Sequence, residues 1–376
     1  METILNIKPD ILNWAISRSG YEHGEFFEKF PRAKSWLDQE KTPTIPQLRD
    51  FAKKANVPFG YLFLQTPPVE EIPIPFFRTL KGETDDIGIN LRDTILTLQK
   101  RQDWIRNYLI EQGEERLPYV GKYTIQTPQD EVIADIKKTL GLGDNWARAL
   151  PNWEKALNHL AEKVEEAGIF IVFNSVVGLN NHRPIKVDDC RGFVLSDEYA
   201  PFMFVNSADS KSAQMFTIAH ELAHIWIGKS AGFDFRNLQP SDDETELYCD
   251  KIAAEFLVPQ SALEEAWHEG VEFEQLARLF KVSQIVIARR ALDLGKITRQ
   301  EFFDFYNERK NYYHQKKEDR GDGGNFYASL RKKLNLRFFN TVDLAAREGT
   351  LLYKHAYELT GLKGSTYQKV VKEFGG

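Results

Sequence analysis

Two histidines and a glutamate stand in the order His220-Glu221-Leu-Ala-His224, inside an otherwise apolar stretch from Met215 to Gly228. Residues four apart lie on the same face of a helix, so both imidazoles can bind one metal ion. Glu221 stands beside them, where a carboxylate can hold a water molecule on the metal and take its proton. The spacing therefore predicts a hydrolytic zinc site on a buried helix.

The alternative interpretation is an amphipathic helix whose two histidines are core residues bonded to backbone carbonyls. Two imidazoles and a carboxylate are costly to bury in so apolar a helix unless they share a partner. The chain has only 8 His, and composition alone gives the pattern in roughly one chain in a hundred. The metal site is therefore the preferred interpretation.

A catalytic zinc ion needs a third protein ligand and keeps its fourth position for water. The stretch 242–259 has apolar residues at helical spacing and a proline near its end. Glu246 and Asp250 lie four apart on one face of this predicted helix, so we expect Glu246 as the third ligand. Asp250 is then placed to accept the outer N–H of a ligand histidine. Glu244 and Glu255 are weaker ligand candidates, and solvated acids at a helix start are the alternative.

These segments together resemble the ImmA/IrrE family of zinc metallo-endopeptidases. The matching text is Arg191-Gly-Phe-Val-Leu, Pro201-Phe-Met-Phe-Val-Asn206, the helix of His220, and Glu246-x-x-x-Asp250-Lys-Ile-Ala-Ala-Glu-Phe-Leu-Val-Pro. The resemblance implies one Zn²⁺ per chain, bound by His220, His224 and Glu246, with Glu221 activating the water. The motif places no donor for the oxyanion, and that role is left open.

Composition limits the class of protein. A chain of 376 residues with 42% hydrophobic residues can form two or three domains. Only two cysteines, Cys190 and Cys249, argue against a disulfide framework, and Cys249 is expected to be a buried side chain rather than a nucleophile. No secretion signal is visible, and no stretch approaches the roughly 20 apolar residues of a membrane span. We expect a cytoplasmic protein without membrane contact.

Charge is unevenly distributed along the chain. Residues 1–80 carry 10 Lys/Arg and 10 Asp/Glu, and residues 325–376 carry 9 and 4. Since the whole chain has a net charge of −6, the part between them has −11. An acidic core with a basic tail lacks the extended positive surface of a protein that binds nucleic acid along its length. Any DNA contact is therefore expected to be local.

Residues 1–68 are predicted to form an all-α domain of five short helices, with Thr44 capping the fourth. The stretches Trp-Leu-Asp-Gln-Glu-Lys-Thr-Pro-Thr and Val-Pro-Phe-Gly-Tyr-Leu-Phe resemble the Xre/Cro-type helix-turn-helix. The resemblance implies that the third helix, predicted over 33–40, enters the major groove with Arg32, Lys34 and Lys41 near bases or phosphates.

Two features depart from that family. Phe27 stands where the family prefers a small residue, and the turn Lys-Phe-Pro-Arg before the third helix is compressed. A domain kept for protein contact or dimerisation is therefore the alternative to DNA binding.

Residues 69–166 are predicted as a proline-rich linker and a helical scaffold. The scaffold begins with a long amphipathic helix over 89–111, a packing strut or a dimer helix, and two more helices are expected within 128–166. A homodimer is left open.

Residues 167–312 are predicted to form a metallopeptidase core with a small sheet of the gluzincin type. Strands are expected at 168–173, 192–195 and 201–205. We expect the last of these to be an edge strand that binds an extended peptide by β-addition. Asn206 at its end either anchors the substrate or makes the turn, and the turn is preferred.

A second helix-turn-helix is predicted at 271–296, where Ser283 caps the second helix and Arg289 and Arg290 lie on its later turns. ImmA/IrrE proteins carry this element beside the catalytic helix. It either reads DNA or forms a wall of the cleft, and the two interpretations have equal weight.

Residues 313–324 are charged and Gly-rich and are predicted to be a flexible linker. Residues 325–376 are predicted to form a helical tail, whose basic face is solvated or touches nucleic acid or an acidic partner. The expected fold class is therefore α+β and predominantly helical.

Family members with this layout are similar to regulators or antitoxin-like proteins, some encoded beside PIN-like toxins. The first hypothesis is a DNA-binding regulator with zinc-dependent endopeptidase activity that cleaves a repressor or partner protein. The second is a DNA-binding antitoxin or repressor that neutralises the toxin of the adjacent gene by binding, with a structural or inactive zinc site. Glu221 favours the first hypothesis, since a structural site needs no base.

Overall fold

A computed structural model describes residues 7–68, 88–229, 231–233, 243–315 and 326–374. The helices in these ranges are α1 (Pro9–Arg18), α2 (His23–Lys29), α3 (Arg32–Leu37), α4 (Ile45–Ala55), α5 (Ile89–Glu111), α6 (Gln129–Leu140), α7 (Trp153–Glu166), α8 (Lys211–Trp226), α9 (Glu244–Leu257), α10 (Gln260–Ala266), α11 (Phe273–Phe280), α12 (Gln284–Asp293), α13 (Arg299–Gln315), α14 (Phe326–Leu334), α15 (Leu336–Arg347), α16 (Tyr353–Thr360) and α17 (Gly364–Phe374). The strands are β1 (Phe170–Asn174), β2 (Val176–Val177), β3 (Asn180–Pro184), β4 (Gly192–Leu195), β5 (Phe202–Asn206) and β6 (Ala231–Phe233).

The fold class is α+β and predominantly helical, which confirms the prediction from sequence. The described residues divide into two compact units. One holds residues 7–68 and 88–93, and the other holds the described residues from 94 onward.

The first unit packs α1–α4 and a 3₁₀ helix, Phe59–Phe63, around a core that includes Phe26 and Phe51. Thr44 and Gln47 form a capping box at the start of α4, which explains why the helix begins there. The third helix ends at Leu37 rather than at the predicted residue 40. Two residues separate α2 from α3, so the turn between them is as short as the sequence indicates.

The second unit is built around a four-stranded mixed sheet with the order β1-β5-β4-β6. Strand β5 pairs parallel with β1 and antiparallel with β4, and β6 pairs antiparallel with β4. The prediction that the strand at 201–205 is an edge strand is therefore wrong. All five residues of β5 are buried, because a strand with neighbours on both sides and cover on both faces has no solvent contact.

The two faces of this sheet are covered by different helices. Val194, Met203 and Val205 belong to the core that contains α8 and α7. On the other face the ring of Phe202 packs edge-on against Phe338 of α15, with 5.8 Å between ring centroids. The predicted C-terminal tail therefore supplies part of the cover of the sheet.

A two-stranded antiparallel hairpin, β2 and β3, lies between β1 and β4 in sequence. No helix among the described residues combines the length and the apolar content that crossing a membrane requires. Of the predicted linkers, residues 69–87 and 316–324 lie outside the described ranges, whereas residues 313–315 are the last residues of α13.

Candidate metal centre

The helix α8 carries His220, Glu221 and His224 on one buried face. Their side chains are 0%, 0% and 1% exposed, within a helix that is otherwise lined by apolar residues. The i, i+4 spacing brings Nε2 of His220 to 3.0 Å from Nε2 of His224. Two imidazole nitrogens face each other at this distance only if they share a proton or a cation.

Helix α9 brings a carboxylate to the same point. Asp243 caps α9 by accepting from the backbone N–H of Thr245 and Glu246. Glu246 Oε2 lies 3.1 Å from Nε2 of His220, and Oε1 lies 3.0 Å from Nε2 of His224. Ligand atoms bound tetrahedrally at about 2.0–2.1 Å lie roughly 3.3 Å apart. The three side chains therefore have the spacing of ligands around one small cation.

Asp250 lies one turn after Glu246 on α9. Its Oδ1 is 3.0 Å from Nδ1 of His220, so the Nδ1–H donates to the carboxylate. This bond orients the ring and leaves Nε2 directed at Glu246. Asp250 therefore has the place and the partner that the sequence predicts for it.

The charges of the cluster are strongly coupled. Burial by itself disfavours the charged imidazolium, but hydrogen bonds and charges from Asp250 and Glu246 outweigh it and raise the pKa of His220 to about 10. Burial lowers the pKa of His224. For Glu246, burial acts against the carboxylate, yet the two histidines lower its pKa to about 2. The protonated His220 thus lies between the carboxylates of Glu246 and Asp250, a position that also suits a metal cation.

Glu221 differs from its neighbours because both of its carboxylate oxygens are buried and have no hydrogen-bond partner among the described residues. Burial raises the pKa of Glu221 to about 8, with the charge of His220 opposing and that of Glu246 adding to the effect. A buried acceptor without a partner costs free energy in the fold. Such a carboxylate is suited to taking up a proton near neutral pH.

Helix α8 is fixed at its N-terminal end by side chains. Ser210 caps it by accepting from the backbone N–H of Ala213. Gln214 donates to the carbonyl oxygens of Ser207 and Asp209, and Asp209 forms an ion pair with Arg191 at 3.1 Å.

The C-terminal end of α8 is fixed by the segment 119–123. The backbone N–H groups of Gly121 and Tyr123 donate to the carbonyls of Ile225 and Trp226, both at 3.0 Å. The ring of Tyr119 stacks on Trp226 with 4.3 Å between centroids. The last turn of α8, which carries His224, therefore has its carbonyls satisfied by a neighbouring loop.

Two residues to which the sequence pattern assigns no role also lie at the site. Thr217, one turn before Glu221, is 1% exposed, and Gly192 of β4 lies against Thr217 and Glu221. The one local signal for Thr217 is that a polar residue stands four positions before Glu221, on the same face of the helix. For Gly192 the contact is between β4 and α8, which sequence spacing does not reveal.

The other acidic candidates lie elsewhere. Glu244 is the first residue of α9, and it is exposed. Glu255 forms an ion pair with Arg290 of α12 and accepts from the backbone N–H of Gln260.

Asn206 donates to the carbonyls of Ile185 and Cys190, so it shapes the loop before β4. Cys249 is buried, and burial raises the pKa of its thiol.

The second predicted helix-turn-helix is formed by α11 and α12, with Ser283 capping α12 as expected. Every residue of α12 except Asp293 is buried or half-buried. Arg290 points inward and donates to the carbonyl of Val258 at the end of α9. The inward contact of Arg290 favours a wall of the cleft, and DNA reading by this element stays a prediction.

Arg32, Lys34 and Lys41 belong to the first unit and are exposed. Arg32 and Lys34 lie on α3, and Lys41 lies in the loop that follows it. The three cations thus share one region of that unit.

Comparisons with known proteins cover two parts of the chain. No curated protein matches it. Residues 335–373, in α15–α17, match a domain of unknown function (DUF8813). Residues 164–292, which hold the whole metal centre, match the family model of the IrrE N-terminal-like domain, Peptidase_M78. This segment is therefore similar to a metallopeptidase domain.

Proposed function

We propose that the protein is a zinc metallo-endopeptidase that acts as a DNA-binding regulator by cleaving a repressor or another partner protein. The observation that carries the proposal is the convergence of His220, His224 and Glu246 within ligand distance of one another. Beside them lies the carboxylate of Glu221, which has no hydrogen-bond partner in the part of the chain that the structure describes. Two neutral nitrogens and one carboxylate are the donor set that catalytic zinc takes in His₂Glu sites.

Zinc held by His220, His224 and Glu246 would polarise a peptide carbonyl and lower the pKa of a water molecule. Glu221 would accept a proton from the attacking water molecule while the water oxygen forms the new bond to the carbonyl carbon. The C–N bond then breaks, and Glu221 returns the proton to the leaving amine. Asp250 keeps the ring of His220 oriented throughout.

An extended peptide is the substrate class that the sheet favours. Strand β6 stands at the end of the strand order, and its Phe233 is in register with Gly192 of β4. Gly192 in turn lies beside Glu221. β-Addition of a substrate strand at β6 would place the peptide two strand positions, roughly 10 Å, from the strand that lies beside the base.

DNA binding is proposed for the first unit. Its exposed cations Arg32, Lys34 and Lys41 lie on and after α3, the helix in the recognition position. On α12 the Arg290 side chain is bonded to the carbonyl of Val258 and Arg289 is paired with Asp293, so the first unit is the place where we expect a local contact. Phe27 is half-buried in α2, and the alternative of a protein-contact domain rests on it and on the short turn.

The decisive experiment replaces the base and keeps the ligands. Glu221→Gln should retain one Zn²⁺ per chain and lose cleavage by roughly 10²–10⁴-fold, the usual contribution of a general base. Zinc content is measured by mass spectrometry, and cleavage is followed on the purified product of the neighbouring gene. His220→Ala is the control that should lose zinc as well. Unchanged cellular activity of Glu221→Gln would favour an antitoxin that acts by binding alone.

A further inference from the structure

Gly192, the first residue of β4, lies directly against the turn of α8 that carries Glu221. A Cβ atom placed on Gly192 would overlap the Thr217 methyl group. It would also lie 2.8 Å from the carbonyl oxygen of Phe204 and 3.7 Å from Oε1 of Glu221. The φ angle of Gly192 is outside the left-handed region, so the space around it, rather than its backbone conformation, demands glycine.

The atoms around this position have little freedom to move. Phe204 is in β5, which is held between β1 and β4. Thr217 is 1% exposed and branched at Cβ, and Glu221 is 0% exposed. Since non-bonded carbons rest at about 3.5–4.0 Å, a methyl group at Gly192 must separate β4 from α8 by roughly 1 Å.

Such a separation acts differently on the ligands and on the base. His220, His224 and Glu246 are supplied by α8 and α9, whereas Gly192 comes from the sheet. The carboxylate of Glu221 is the part of the cluster that faces β4. Moving the sheet away therefore changes the surroundings of the base while the three ligand atoms keep their mutual distances.

We propose that Gly192 is a positioning residue for Glu221. The missing side chain allows β4 to hold the Glu221 carboxylate at a fixed place relative to the three ligands. The inference rests on the proposed metal site and its base, and it gives a role to the glycine of Arg191-Gly-Phe-Val-Leu, which the ligand set leaves unexplained.

The test uses the full chain loaded with Co²⁺, whose visible absorption reports the geometry at the ion without any substrate. Glu221→Gln should change this spectrum at unchanged metal stoichiometry, because it replaces the buried carboxylate next to His220 by a neutral amide. Gly192→Ala should give the same change and keep zinc affinity within about threefold of the unmodified chain. Adding Thr217→Ser to Gly192→Ala removes the overlapped methyl group and should restore the spectrum in part. Gly143→Ala is the matched control, since nothing lies within 4 Å of a Cβ there.

Thr217→Ile enlarges the same contact from the side of α8 and gives a second variant if Gly192→Ala does not fold.

A Gly192→Ala protein with the spectrum of the unmodified chain would overturn the inference. So would a loss of zinc affinity larger than tenfold, which would show ordinary disruption of packing. If Glu221→Gln leaves the spectrum unchanged, the base itself is misassigned and the inference falls with it. If the spectra behave as expected but no peptide is cleaved, Gly192 keeps its role and the endopeptidase proposal fails.

Discussion

At the scale of single residues, the candidate metal centre is a buried set of opposing charges. Asp250 and Glu246 stabilise a protonated His220, and Glu221 adds a carboxylate with no partner among the described residues. A buried charge cluster of this kind is costly unless a cation completes it. A bound cation would offset this unfavourable free energy, and the cluster therefore favours metal binding.

Proton release on zinc binding follows from the pKa of His220. This pKa is about 10, so below that pH the imidazole carries a proton that the metal must displace. Zinc affinity should therefore rise with pH, and binding at pH 7 should release about one proton from His220 per ion. Calorimetry in buffers of different ionisation enthalpy measures this number.

The measurement is best made in the Glu221→Gln background, because Glu221 also titrates near neutral pH. Asp250→Asn should reduce the proton release, since it removes the charge that raises the pKa of His220. Zinc affinity that does not vary between pH 6 and about 9 would contradict this account of the charges.

At the scale of elements, the site depends on how α8 and α9 are held by elements far away in sequence. The segment 119–123 satisfies the last carbonyls of α8. Arg290 of α12 reaches the end of α9 through the Val258 carbonyl and the Glu255 carboxylate. The predicted second helix-turn-helix therefore serves as a support for the helix that carries Glu246.

Replacing Arg290 by alanine should destabilise the second unit. The Arg290 side chain is 10% exposed and the Glu255 side chain 23%, so the change leaves a mostly buried carboxylate without its cationic partner. Removing one member of such a pair costs about 3 kcal/mol, which urea unfolding would measure.

Arg289→Ala is the neighbouring control. Arg289 pairs with Asp293 at the surface, with side chains 37% and 36% exposed, and its loss should cost no more than about 0.5 kcal/mol. Equal effects of the two substitutions would show that α12 does not support α9.

At the scale of the whole molecule, the C-terminal helices take part in the fold of the second unit. Phe338 of α15 is 0% exposed and contacts Phe202 of the central strand and Trp104 of α5. Without these helices the aromatic face of the sheet would be open to water, which proteins avoid.

Phe338→Ala should therefore lower the free energy of unfolding by about 3–5 kcal/mol, the usual cost of removing a buried phenylalanine ring. Thermal unfolding measures the loss. Tyr353→Ala, at a site that is 41% exposed, is the control and should have little effect. A stable Phe338→Ala protein would mean that residues 325–376 are a separate tail, as the sequence predicts.

DNA binding by the first unit gives a second prediction at this scale. A promoter fragment should bind with an affinity that falls as salt is raised. Replacing Arg32 and Lys34 together should weaken it and reduce the slope of log affinity against log salt by up to about two. Gel-shift titrations at several salt concentrations measure both.

Arg278→Ala tests a side chain on α11 that is 69% exposed and should change neither affinity nor slope. Unchanged DNA binding and slope in the Arg32 and Lys34 double variant would show that the DNA contact lies elsewhere in the chain.

The sequence by itself determined the features that depend on neighbours along the chain. The shared face of His220 and His224 follows from helical periodicity, and the caps at Thr44 and Ser283 follow from local hydrogen bonding. The fold class and the approximate positions of β1, β4 and β5 follow from composition and hydrophobic runs. In each case the deciding interaction spans a few residues.

Only the tertiary structure decided the features that depend on partners distant in sequence. Three features each join segments tens of residues apart. They are the central place of β5, the inward direction of the Arg290 side chain and the close approach of β4 to α8 at Gly192. A strand has the same sequence pattern at an edge or between two buried neighbours when both faces are covered. The packing of the whole unit decides which surfaces meet. The spacing of residues along the chain does not indicate these contacts.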